Sequence, residues 1–78
     1  MNSKRKQQHI QIGLNIAYFR KLKGMSQLQL AEAIGVSRTH LSNIEAPNMI
    51  TSISLDKLLD IADALDINAN ELLIFHKL

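Results

Sequence analysis

Two short apolar-periodic segments lie almost end to end in "SQLQLAEAIGVSRTHLSNIE", residues 26–45, and this juxtaposition constrains the chain more than any other feature. Leu30, Ala31 and Ile34 recur at helical spacing in the first segment, as do Leu41 and Ile44 in the second. Ser26 and Ser37 precede the two segments, where a hydroxyl can accept from an orphan helix amide. Only Gly35, Val36 and Ser37 separate them, so the chain must bend abruptly, and Gly35 can take the positive φ that such a bend requires. Helices joined this tightly cross at close range. Ala31 is small at the crossing, and Leu30, Ile34, Val36, Leu41 and Ile44 fill the angle between them.

The rest of the chain also reads as helix, with no strand-like alternation of useful length. Ile12, Ile16 and Phe19 form an apolar stripe on a first helix expected from about Gln8 to Lys23, closed by Gly24 with Lys21 and Lys23 in its last turn. Ile10, Leu14, Tyr18 and Leu22 make a second stripe that could be core, dimer surface or tolerated exposure. Pro47 ends the third helix and biases Ala46 away from helical angles, leaving "NMITSI" as a loop. Ser54 opens a fourth helix with Leu55, Leu58, Leu59, Ala62 and Leu65 inward and Asp56, Asp60 and Asp63 outward. Asn68 and Glu71 stand at capping-box spacing and predict a fifth short helix that places Leu72 and Leu73 in the core. The expected fold is therefore all-α with five helices: residues 1–9 form a basic arm, either flexible or the start of helix 1, and residues 10–78 a single domain.

Composition limits the functions open to this fold. A chain of 78 residues, 46% apolar and 21% charged, suits one compact domain with a modest core. The absence of cysteine excludes a disulfide framework and any cysteine-bearing zinc site. No apolar run approaches the ~18 residues of a membrane span, and the basic start "MNSKRKQQH" is not followed by a signal-peptide core, so a cytoplasmic protein without membrane partners is expected. His9, His40 and His76 lack ligand spacing, and Ser37 with His40 lacks an orienting acid, so neither metal, cofactor nor enzymatic site is expected. Charge is segregated: residues 1–40 hold seven Lys or Arg against Glu32 alone, whereas residues 41–78 hold two against six acids. A basic half of this kind is either the electrostatic footprint of a polyanion partner or a solvated charged face, and charge alone does not choose between them.

The apolar seam of Val36, Leu41 and Ile44 leaves Arg38, Thr39, Ser42 and Asn43 on the opposite face of the third helix. Those side chains suit the DNA major groove: Arg offers a fork to guanine O6 and N7, Asn can pair with adenine, and the Thr methyl can meet thymine. The skeleton "SQ...LA...GVS....S.IE" closely resembles the helix-turn-helix of the phage repressor and Cro-like (XRE) family. "IGLNIAYFRKLKGMSQ" resembles its first helix and "SLDKLLDIADALDINANELL" its fourth and fifth, so the resemblance covers roughly residues 10–74. It implies a lambda-repressor-like DNA-binding domain with the helix-turn-helix at helices 2 and 3.

The resemblance also implies site residues. Arg38, Thr39 and Asn43 would read bases, Gln27 would sit between phosphate and base edge, and Ser26 would hold a phosphate with the helix amides. Ser37, Ser42, Asn48, Thr51 and Ser52 are further candidates for backbone contact, and His40 would either reach a phosphate or pack beside Tyr18. Arg20 and Glu45 would form a partly buried salt bridge between the first and third helices. The stretch "EAPN" departs from the family pattern, and the loop from there to Ser54 is about two residues longer than usual. One such module offers few base contacts, so a homodimer on palindromic double-stranded DNA is expected, with Ile74, Phe75 and Leu78 of the apolar end as its interface. No small-molecule effector site is evident. The expected function is a sequence-specific transcriptional regulator; the alternative is a protein-interaction module on the same scaffold, an antitoxin or adaptor with weak DNA binding.

Overall fold

The computed structural model describes residues 2–75 and contains four α-helices and a 3-10 turn: α1 (Ser3–Leu22), α2 (Gln27–Ile34), α3 (Arg38–Glu45), α4 (Leu55–Leu65) and the turn Ala69–Leu73. Among the described residues no helix is long and apolar enough to cross a membrane. The last element is a single 3-10 turn where a fifth α-helix was expected. The backbone is already extended at Ile74, so the segment lacks the length to propagate α-helical bonds. Helix α1 begins at Ser3, not near Gln8: Asn2 accepts from the Arg5 amide at 2.8 Å, and the N-terminal residues continue the helix behind that cap.

Ile16, Leu30, Leu41, Ile61, Leu65 and Leu72 are fully buried and form the centre of the core, with Ala31 of α2 fully buried among them. Each such large side chain contributes roughly 1.5–3 kcal/mol by leaving water. Two expectations need correction here, on α4 and on the last turn, and one left open, on α1, is decided. Leu55, at the first residue of α4, is 68% exposed, and Leu59 is also exposed, while Ile61 takes the buried position. Leu73 is 42% exposed because the 3-10 turn directs only Leu72 inward. The second stripe of α1 is mainly surface, with Leu14, Tyr18 and Leu22 all exposed.

Two features fix how α2 and α3 are presented. Gly35 has φ +75° and closes α2 with bonds from its own amide to Glu32 and from the Val36 amide to Ala31, after which Ser37 caps α3. Lys57 of α4 donates through Nζ to the Ile34 carbonyl at 2.6 Å, so a cation meets the negative end of α2. On the opposite side Asn15 of α1 donates to the Leu72 and Ile74 carbonyls at 3.1 and 2.9 Å, which ties the C-terminal segment to α1.

Candidate nucleic-acid interface

The N-termini of α2 and α3 lie side by side, and neither has an acidic residue in its first turn. Their dipoles therefore present positive poles on one surface without internal neutralisation. In α2, Ser26 Oγ accepts from the Gln29 amide at 3.0 Å while Gln29 Oε1 accepts from the Ser26 amide at 2.7 Å. This reciprocal box consumes two of the amides at the helix start and leaves those of Gln27 and Leu28 without an intrahelical acceptor. In α3 the Ser37 hydroxyl accepts from the His40 amide at 3.0 Å.

Behind this surface sits a buried ion pair. Arg20 and Glu45 are each 7% exposed, and the guanidinium meets the carboxylate through two parallel bonds, Nε to Oε2 at 2.7 Å and Nη2 to Oε1 at 2.9 Å. Arg20 Nη1 also donates to the Met25 carbonyl at 2.8 Å, so the same side chain ties the α1–α2 connection to the end of α3. Glu45 accepts a further bond from Gln27 Nε2 at 3.0 Å. Because a carboxylate only accepts, it selects the orientation of the Gln27 amide and turns Oε1 outward. That oxygen accepts from Arg38 Nη1 at 3.3 Å. An unbroken chain thus runs from the buried Arg20 through Glu45 and Gln27 to the exposed Arg38 at the start of α3.

The close approach of α1 to α3 that permits this pairing depends on Gly13, which the sequence reading passed over. A Cβ there would collide with the Ile44 carbonyl oxygen and stand 3.4 Å from Glu45 Cα. A glycine in a helix interior costs about 1 kcal/mol relative to alanine, so its presence in "HIQIGLNIAY" was itself a signal of a packing requirement.

The remaining candidates are distributed as follows. Arg38, Thr39 and His40 are exposed on the first turn of α3; Ser42 and Asn43 are half-buried on the next. Gln27 is half-buried, and Ser26 and Ser37 are exposed caps. Asn48 and Ser52 are exposed and Thr51 is half-buried in the loop after α3, and none of the three makes a side-chain hydrogen bond to the other candidates. Ile74 and Phe75 are exposed, and Ile74 joins Gln11, Leu14, Asn15, Tyr18, Phe19 and Glu71 in lining a largely apolar groove. Leu78 lies outside the described residues. Among the described residues no group of three or more His, Asp or Glu side chains could hold a metal ion.

Residues 16–72 match the helix-turn-helix family model HTH_3. The chain is 43% identical over 60 residues to the uncharacterized HTH-type transcriptional regulator YazB of Bacillus subtilis, which covers 77% of this chain and 84% of that protein. It is 40% identical over 62 residues to the HTH-type transcriptional regulator SinR of Bacillus subtilis, covering 80% of this chain and spanning only 55% of SinR. Among solved structures, the restriction-modification controller protein C.AhdI from Aeromonas hydrophila superposes with a TM-score of 0.74 at 33% identity, over 81% of this chain and 92% of that one. SinR, a master regulator for biofilm formation solved in complex with DNA, superposes with a TM-score of 0.73 at 40% identity, over 81% of this chain and 98% of that one. With the all-helical fold, the abrupt α2–α3 bend and the paired positive helix ends, these matches establish that the chain belongs to the Cro/C1-type (XRE) helix-turn-helix family of transcriptional regulators, non-enzymatic DNA-binding proteins.

Proposed function

We propose that the protein is a sequence-specific transcriptional regulator that inserts the N-terminal part of α3 into the DNA major groove, as a homodimer on a palindromic operator. The observation that carries this reading is the chain from Arg20 through Glu45 and Gln27 to Arg38, which holds an exposed guanidinium at the tip of a helix by a buried anchor. A pre-positioned fork loses less entropy on engaging a guanine edge than a free side chain would. Thr39 and Asn43, one turn apart on the same helix, supply a methyl for thymine and an amide for adenine. The free amides of Gln27 and Leu28 and the Ser26 hydroxyl receive one phosphate, and Ser37, His40, Ser42, Asn48, Thr51 and Ser52 are assigned to the backbone around the groove.

Dimerisation is assigned to the exposed Ile74 and Phe75 together with the apolar face on which Ile74 lies beside Leu14 and the 61% exposed Tyr18. Contiguous apolar surface of this kind is unfavourable in water and is relieved by a symmetry mate. Two copies would then address half-sites about 34 Å apart, one turn of duplex.

Replacing Arg38 by alanine tests the base-reading role. Binding to the preferred duplex should weaken by about 1 to 3 kcal/mol with base preference relaxed at one position per half-site, as read by competition with single-base variants. The thermal midpoint should hold, since Arg38 is exposed. Affinity that is weak from the outset and indifferent to Arg38→Ala would instead favour an adaptor or antitoxin built on this scaffold.

A further inference from the structure

We infer that the groove between α1 and the C-terminal segment binds an organic ammonium ion with an apolar body, and that Gln11 is one of the residues recognising it. This site takes no part in base reading and shares with the function proposed above only the apolar face assigned to dimerisation.

Two elements distant in sequence build the groove. Asn15 of α1 spends both hydrogens of its amide on the C-terminal segment, donating to the Leu72 and Ile74 carbonyls at 3.1 and 2.9 Å. Leu72 is fully buried, whereas Ile74 leaves the core in extended backbone and its side chain is exposed. Ile74 supplies the apolar lining together with Leu14, Tyr18 and Phe19 of α1, and the groove encloses about 390 Å³. Small-molecule sites occupy roughly 300 to 1,000 Å³.

Packing alone does not account for Gln11. It lines the groove and is 6% exposed, yet among the described residues its amide has no hydrogen-bond partner. The amide is not sealed away either: among the described residues His9 Nδ1 is the polar side-chain atom that is both fully buried and unpartnered, so the Gln11 amide keeps its surface in the groove. A glutamine this buried is ordinarily paired, and leucine would fill the same space without desolvating an amide. What Gln11 offers is therefore offered to an occupant of the groove.

The other polar atoms define that occupant. With both its hydrogens spent, the Asn15 side chain has Oδ1 left, an acceptor. Glu71 Oε2 accepts from the Asn68 amide at 3.2 Å, which leaves Oε1 for a further donor. With Gln11 Oε1, three acceptor oxygens line one groove; one belongs to a carboxylate, and among the described residues no Lys or Arg lines it. A primary ammonium is their complement, carrying three donors, a positive charge and no acceptor. Tyr18 and Phe19 meet edge to face with ring centroids 5.1 Å apart at 83°. Aromatic faces attract a cation and also receive an apolar body. A carboxylate ligand would face Glu71 with no cation to offset the repulsion. On the dimer reading, a ligand in the groove displaces the second copy from Leu14, Tyr18 and Ile74 and thereby weakens operator binding.

The test titrates isotope-labelled protein, free of DNA, with 2-phenylethylamine and with phenylacetate, which share a ring and differ in the sign of the head group. The side-chain amide signals of Gln11 and Asn15 should shift saturably with the amine. Phenylacetate should bind about tenfold more weakly or worse, because an attraction and a repulsion of surface magnitude both enter the difference. Gln11→Leu should hold or raise the thermal midpoint while weakening the amine about tenfold, the loss of one hydrogen bond to a charged group. Glu71→Gln keeps a capping-box side chain and should bring the two probes close to equal affinity. No saturable shift with the amine would overturn the inference, as would phenylacetate binding equally well or Gln11→Leu retaining wild-type affinity for the amine. Sedimentation of the same samples separates the two readings: a chain that is monomeric throughout refutes the dimer, while the titration still decides the groove.

Discussion

Arg20→Ala should lower the stability of the fold by on the order of 3 to 5 kcal/mol, the cost of stranding a buried carboxylate. Glu45 is 7% exposed, and without the guanidinium its oxygens retain a single side-chain partner, Gln27. A domain this size has about 5 to 15 kcal/mol in total, so the variant should be mostly unfolded at moderate urea concentrations. Replacing both partners, as Arg20→Met with Glu45→Met, removes the uncompensated charge and should recover most of the loss, because apolar residues of similar volume often match a buried pair. The double replacement should nonetheless bind DNA poorly, since Gln27 then loses the acceptor that orients it and Arg38 loses its anchor. Urea denaturation read alongside duplex binding separates these effects. An Arg20→Ala midpoint equal to that of wild type would show that the pair contributes nothing.

The second large effect is expected at Gly13. Helix propensity alone says that Gly13→Ala should stabilise α1 by about 1 kcal/mol. The structure reverses that sign. The new Cβ meets only backbone, the Ile44 carbonyl and Glu45 Cα, which cannot rotate aside as a flexible side chain could. Helices α1 and α3 would have to separate, and a net destabilisation of about 2 to 3 kcal/mol follows from such overpacking. The separation also stretches the Arg20–Glu45 pair one residue from the contact, so Gly13→Ala and Arg20→Ala should cost less together than the sum of the two alone. Thermal melts of the single and double variants test this; a rise in midpoint for Gly13→Ala would contradict the close-packing explanation.

The features legible in the sequence are those governed by local chemistry. Ser26, Gly35 and Ser37 mark the helix ends because capping and positive φ depend on a residue and its immediate neighbours. The outward placement of Arg38 follows from the periodicity of Leu41 and Ile44 in the same way. What stayed hidden depends on elements distant in the chain. Leu55, Leu59 and Leu73 have the spacing of core residues, yet they remain at the surface because the fold turns other residues of the same elements inward. Periodicity gives a face but not its width. Asn15, which fastens the C-terminal segment by two carbonyls nearly 60 residues away, left no trace in local pattern at all. Gly13 did leave one, as an otherwise costly residue inside a helix. The link from Glu45 to Gln27 to Arg38 is of a third kind: each residue had been singled out, but the coupling exists only because α1 brings the ion pair beneath the α2 N-terminus.

The claim on which the functional reading rests is that two anchored copies of α3 choose among base sequences. Selection of bound duplexes from a random pool at low and at near-physiological salt measures this directly. The account predicts enrichment of an inverted repeat whose half-sites are centred about 10 base pairs apart, retained at the higher salt while unselected duplexes are released. A pool that emerges unenriched at both salt concentrations, with binding that simply fades as salt rises, would contradict it.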